Sequence, residues 1–245
     1  MTPLVLAVTG IAGLVLLILA RVPVAVALGL VGFFGYAATD SFARAHLMLG
    51  ALPIEMASAY TFSVVPLFTL MGAVAAVSGL SADLFRASHV ALRGARGSLS
   101  IASIFASALF GAVCGSSVAT ALTMSKVSIP QMLAAGYRPS LAAASVAAGG
   151  TLGILIPPSL ILMIYAIIAQ QSVAELFAAA LLPGLVLTVL YCLVAVVLSR
   201  RMASGRDAAA AAAGDREPVG RALARIWHVV LLFAVTLGGI YAGFF

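Results

Sequence analysis

From Phe177 to Leu198 the chain passes through an apolar stretch without one charged residue. That is about the length a helix needs to cross a bilayer. Leu4–Ala20, Pro23–Ala38, Phe62–Leu80 and Trp227–Phe245 are built the same way. A soluble globule would need a polar skin that this chain lacks. It is 64% hydrophobic and 8% charged, against about 45–50% and about 25% in typical soluble domains. The mean hydropathy of +1.21 agrees. These features predict an all-α integral membrane protein, with the lipid bilayer as the solvent for most of it. The first run lacks the preceding Lys or Arg of a signal peptide.

A net charge of +6 and a pI of 9.9 could suggest a nucleic-acid binder. The basic residues, however, sit between apolar runs, as topology signals do. No nucleic-acid partner is expected. Cys114 and Cys192 lie in apolar stretches and read as packing residues. Asp40, Arg44, His46 and Glu55 mark a short polar connection after the second run. Segment 82–97 alternates Asp83, Arg86, Arg93 and Arg96 with Leu84, Phe85, Val90 and Leu92, the pattern of an amphipathic helix lying in the interface. Residues 200–221 read as a polar, low-complexity loop.

Cytoplasmic loops carry the excess of Lys and Arg. With the N-terminus outside, Arg21, the 86–96 arginines, Lys126, Arg138 and the 200–225 group fall on the cytoplasmic side. Only Arg44 is left outside, with Asp40, Glu55 and Glu175. This assignment holds only if Ser98–Leu133 enters and leaves from one side. The charges therefore predict a re-entrant helical hairpin over 98–133, its tip near Cys114–Ser117.

Two interruptions then lie at mid-membrane depth. One is the tip, Gly111 to Thr120. The other is Gly149 to Ser159, with Gly149-Gly150, Gly153 and Pro157-Pro158. Broken backbone is tolerated in a membrane only where protein buries it or where it lines a cavity. Carbonyls and hydroxyls at such breaks suit a bare cation such as Na⁺. Helix N-termini suit an anionic group. Neither break contains a carboxylate or an arginine, so a cation there would be held by backbone and hydroxyl oxygens. The alternative for Gly149, Gly150 and Gly153 is close helix packing. An intramembrane serine protease would need a base, and His46, His89 and His228 lie in polar segments or near a membrane end. No enzymatic activity is expected.

At these residues the sequence resembles the large membrane subunit of tripartite ATP-independent periplasmic (TRAP) transporters. The resemblance runs through Val22-Pro23-Val24 and Leu28-Gly29, Pro66 to Gly72, Leu109 to Thr120, and Ile129 to Met132 with Gly136-Tyr137. It continues through Gly153 to Ser159, Leu176-Phe177 with Leu182-Pro183-Gly184, and Gly238 to Gly243.

The resemblance implies an elevator-type, ion-transporter-like fold. The chain would supply the first inverted repeat, with one re-entrant hairpin and one broken transmembrane helix. Residues 1–97 would be scaffold-type helices plus the interfacial helix. Residues 98–199 would be transport-type, comprising the hairpin 98–133, the broken helix 139–169 and the helix 177–198. Residues 200–221 would be a cytoplasmic loop, and 222–245 the start of a second repeat. The implied function is a Na⁺-coupled permease of the bacterial inner membrane that imports small organic acids of the C4-dicarboxylate, sialic acid or keto-acid type. Its partners would be a periplasmic substrate-binding protein, a small four-helix membrane subunit and the C-terminal half of the permease. Na⁺ is the coupling ion, and no other cofactor is implied.

Carried over by position, the Na⁺ candidates are Gly115, Ser116, Ser117, Gly150, Thr151, Gly153 and Ile156. The substrate-cavity candidates are Ser117, Pro157, Pro158 and Ser159. Cys114 stands where the family usually has serine, and Ala73 where it often has glutamate. The family continues beyond the Gly238–Gly243 motif into a second repeat. The sequence therefore also admits a truncated, non-transporting fragment, or one piece of a split permease.

Overall fold

A computed structural model describes residues 3–58, 60–93, 95, 97–202 and 218–241. The described residues form helices and no strands. They divide into two compact units, Met1–Ser63 and Val64–Phe245.

The first unit holds α1 (Pro3–Leu19), α2 (Val24–Thr39) and α3 (Phe42–Ser58). α1 ends where Arg21 turns left-handed, at φ 63°. The Val22 N–H reaches back to the Leu17 carbonyl, and the Arg21 N–H to that of Ile18. This pattern satisfies the last carbonyls of a helix, and Pro23 then starts the next one. The charges of 40–55 mark a polar connection, yet residues 42–58 fold as a helix that keeps Pro53 inside. Arg44 closes on Asp40 at 2.9 Å, an i,i+4 pair that supports a helix turn. Phe33 meets Phe42 edge-to-face, with ring centroids 5.3 Å apart.

The second unit holds α4 (Val64–Val77), α5 (Leu80–Ala91), α6 (Ser98–Cys114), α7 (Ser117–Ala134), α8 (Pro139–Thr151), α9 (Leu160–Ile168), α10 (Val173–Met202), α11 (Val219–Arg225) and α12 (Trp227–Tyr241). α4 and α5 are bent by 65° at the Ser78–Gly79 step. α5 buries Leu84, Phe85, Ala87 and Val90 and stops at Ala91, short of the 82–97 segment read as one amphipathic helix. Positions 200–202 continue α10, and 219–221 open α11. The 203–217 part of the expected loop lies outside the described residues, as do 242–245 of the last apolar run.

α6 and α7 form an antiparallel hairpin. Ser103 Oγ donates to Ser128 Oγ at 3.1 Å near the open end, while Cys114 Sγ lies 3.2 Å from Thr120 Oγ1 at the tip. α8 runs alongside α6 from the open end toward the tip: Ser100 Oγ lies 2.6 Å from Ser145 Oγ, and Gly149 packs on Ser107 further along. α10 runs the other way, with Gly184 on Ile156 near the tip and Ser199 on Gly97 at the open end. The hairpin tip thus lies level with the break between α8 and α9. α7 closes with Gly136 at φ 86° and a Tyr137 N–H to Met132 carbonyl bond, after which Pro139 opens α8. Buried Ser100, Ser103, Ser107, Ser128 and Ser145 line the seams between α6, α7 and α8. Small hydroxyl residues let membrane helices approach closely and bond across.

Among the described residues, α10 is the one unbent helix whose apolar window, Val173–Ser199, is long enough by itself to cross a membrane. Its large side chains Leu182, Leu185, Val189, Leu190, Leu193 and Val197 are exposed. A helix apolar on every side requires apolar surroundings. α1, α2, α6, α8 and α12 are apolar but shorter.

Candidate functional site at the hairpin tip and the helix break

Two chain interruptions meet inside the second unit. α6 ends at Cys114 because Gly115 turns left-handed, at φ 63°. Gly115 is required there twice. L-residues with a Cβ rarely adopt that φ, and a Cβ would also stand 3.1 Å from the Pro158 carbonyl oxygen and 3.2 Å from the Leu160 nitrogen. Ser116 follows in an extended conformation and caps α7, its Oγ accepting from the Ala119 N–H at 3.4 Å.

The second interruption ends in the same way. α8 tightens into a 3-10 turn at Leu152–Ile154. The backbone then passes through Pro157-Pro158, joined by a cis peptide bond. Ser159 caps α9, its Oγ accepting from the Leu162 N–H at 3.4 Å and donating to the Ile154 carbonyl at 2.8 Å. Ser116 (φ −134°, ψ 123°) and Ser159 (φ −128°, ψ 126°) share one backbone conformation. Such serine caps satisfy an orphan first-turn donor. A further α9 donor, the Leu160 N–H, bonds the Gly115 carbonyl at 3.3 Å, so the tip and the break are directly tied.

α8 and the 3-10 turn that follows it lie in the groove between the hairpin arms on three glycines. A Cβ on Gly149 would stand 2.7 Å from Ser107 Oγ, and one on Gly150 would stand 2.8 Å from Ala121 Cβ. A Cβ on Gly153 would stand 2.9 Å from Thr120 Oγ1 and 3.1 Å from the Ser116 carbonyl, while one on Gly111 would stand 2.5 Å from Gly153 Cα. Gly149 and Gly150 of α8 and Gly153 of the turn after it therefore make the close contacts that small residues allow in membranes.

The candidates divide as follows. Gly115, Ser116, Gly150, Gly153 and Ser159 meet at this junction, and Ser117 adds its carbonyl, 3.3 Å from where a Gly150 Cβ would stand. Pro157 and Pro158 are fully buried beside them, and Ile156 is buried against Gly184 of α10. Thr151 points elsewhere. Its hydroxyl donates to the Ala148 carbonyl at 2.7 Å and lies 3.4 Å from the Tyr191 hydroxyl. At 100° per residue, Gly150 and Gly153 share the face toward the hairpin while Thr151 turns away from it.

Thr120 and Gly111 were not among the sequence candidates. Thr120 is fully buried and holds the Cys114 thiol. Its position four residues after Ser116 is the signal that places its hydroxyl beneath the tip. Cys114 also donates to the Ser116 carbonyl at 3.5 Å, and its backbone presses on Gly72 of α4, whose Cβ would stand 3.1 Å from the Cys114 carbonyl oxygen.

Chemically, the junction offers neutral oxygens and two helix N-termini. No Asp, Glu, Lys or Arg occurs in 98–125 or 139–174. Helix N-termini favour negative charge, and carbonyl and hydroxyl oxygens favour hard cations.

Broken helices that meet at a polar junction in an apolar bundle recur in secondary transporters. The chain belongs to the DctM component family of tripartite ATP-independent periplasmic transporters, whose family model matches residues 11–245. It is 35% identical over 191 residues to the C4-dicarboxylate TRAP transporter large permease protein DctM of Pseudomonas aeruginosa, covering 78% of this chain and 44% of that one. It is 28% identical over 249 residues to the Rhodobacter capsulatus protein of the same name, covering 95% and 54%. It is 30% identical over 186 residues to the sialic acid TRAP transporter large permease protein SiaM of Vibrio cholerae, covering 76% and 43%. The chain spans about half the length of these relatives. They are transport permeases and not enzymes.

Proposed function

We propose that this chain forms one half of a Na⁺-coupled, elevator-type permease of the bacterial inner membrane, with its N-terminus in the periplasm. The observation that carries the reading is the seating of the Gly115–Ser117 tip on the 150–159 break. Two serine-capped N-termini and several backbone carbonyls converge there without a formal charge. Na⁺ would be held by oxygens near Gly115, Ser116, Ser117, Gly150, Gly153 and Ile156. Thr151 would contribute its backbone oxygen rather than its hydroxyl. Ser117, Pro157, Pro158 and Ser159 would border the substrate cavity. The substrates would be small organic acids, in keeping with relatives named for C4-dicarboxylate and sialic acid. A periplasmic binding protein would deliver them, a small four-helix membrane subunit would brace the scaffold, and a C-terminal half of the permease would complete the cavity.

The test is uptake of labelled C4-dicarboxylate and sialic acid into liposomes holding the chain, the C-terminal half, the small subunit and a binding protein. Uptake is expected only with an inward Na⁺ gradient. Equal uptake with choline in place of Na⁺ would overturn the coupling. Uptake by the 245-residue chain alone would overturn its reading as one half.

A further inference from the structure

We infer that the packed pair α5–α11 is a docking surface for the headgroups of anionic phospholipids, at the end of the second unit opposite the hairpin tip. Three observations carry this. First, the topology gathers cations at that end. Gly97, which opens α6, packs on Ser199 near the end of α10. The α7–α8 turn with Arg138 lies there too, and α10 runs on into positions 200 and 201, both arginine. Glu175 sits at the opposite end of α10.

Second, α5 does not offer its apolar side to lipid. Leu84, Phe85, Ala87 and Val90 are buried within the unit, and Ala222 of α11 is buried at 3% exposure in the helix that packs on α5. The exposed charged side chains of the pair are basic, Asp83 being half-buried in the first turn of α5. Arg86 and Arg93 are exposed, seven residues and two turns apart on one face of α5 and its end. Arg221 and Arg225 are exposed, one turn apart on α11. Third, the patch is juxtamembrane, because α11 runs directly into the apolar α12, with Trp227 exposed at the joint.

Exposed arginines at regular spacing beside a membrane helix complement the phosphates of an anionic leaflet. Each contributes about a fivefold preference at low salt, and the attraction fades with ionic strength. The inference rests on charge and topology and does not require that the chain transport anything.

Trp227 is the only tryptophan, so it reports locally. The chain is reconstituted in phosphatidylcholine vesicles containing a small fraction of pyrene-labelled phosphatidylglycerol or, separately, pyrene-labelled phosphatidylcholine. Energy transfer from Trp227 is then compared. Transfer to phosphatidylglycerol is expected to exceed transfer to phosphatidylcholine, to fall as NaCl is raised, and to lose its preference by at least about tenfold when Arg86, Arg93, Arg221 and Arg225 are all changed to Gln. The four Arg→Lys changes should keep it, which separates charge from folding. Equal transfer to both lipids in the native chain would overturn the inference, as would an unchanged preference in the Gln variant. Suppression by millimolar inorganic phosphate, or by a short nucleic acid, would overturn the assignment to lipid.

Discussion

Glycine plays opposite parts in the first unit and at the helix junction of the second. In the first, a Cβ added at Gly13, Gly29, Gly32, Gly35 or Gly50 would meet nothing within 4 Å. In the second, a Cβ at Gly111, Gly149, Gly150 or Gly153 would enter another helix at 2.5 to 2.9 Å. One residue type thus leaves the surface of α1–α3 smooth and, elsewhere, lets three helices close around two broken ends. The difference shows that glycine content alone does not locate a functional junction. Opposed glycines on facing helices do.

The contrast breaks most visibly at Gly153. Gly153→Leu should abolish uptake by the completed transporter while membrane insertion remains intact; near-normal uptake would refute the close approach to Gly111. A milder pair sharpens it. Gly153→Ala should cost about 1–3 kcal/mol through overpacking, whereas Gly32→Ala should be neutral or stabilising by up to about 1 kcal/mol, from helix propensity. Thermal unfolding in detergent compares the two, and equal shifts would erase the distinction.

Next come the tip hydroxyls. Ser116→Ala removes a cap and should cost about 1 kcal/mol. Ser117→Ala should cost little, since no hydrogen bond of the Ser117 hydroxyl occurs among the described residues. Both should raise the Na⁺ concentration needed for half-maximal uptake. An unchanged sodium dependence in both variants would remove the tip from the ion site. The smallest effect belongs to the Thr151–Tyr191 contact. Thr151→Val and Tyr191→Phe should couple by less than about 1 kcal/mol in a double-mutant cycle. A shift in sodium dependence from Thr151→Val alone would mean that its hydroxyl reaches the ion.

The all-helical class and the family were legible in the sequence, because uncharged runs and interrupted Gly/Pro stretches are local signals. What was not legible depended on facing surfaces. Asp40, Arg44, Glu55 and Pro53 make 42–58 look like a link, yet an exposed helix tolerates such residues and the Asp40–Arg44 pair favours it. Thr151 stands among the junction residues in the sequence, and only the helical register turns its hydroxyl toward Tyr191. Thr120 stands four residues after Ser116 in the sequence, but its closeness to Cys114 and Gly153 shows only in the packing.

The Gly111–Gly153 contact has a consequence for how this protein can be altered. A Cβ on Gly111 would stand 2.5 Å from Gly153 Cα, and one on Gly153 would meet Thr120 Oγ1 at 2.9 Å before Gly111 Cα at 3.2 Å, so a side chain at either position needs its neighbours to shift. Room for one would come only by prising α8 from α6, and that same displacement pulls on the Leu160–Gly115 hydrogen bond a few residues away. The cost of a side chain at the junction therefore rises steeply with its size, from Ala to Leu. Large residues there call for changing both sides of the contact together, as a matched pair.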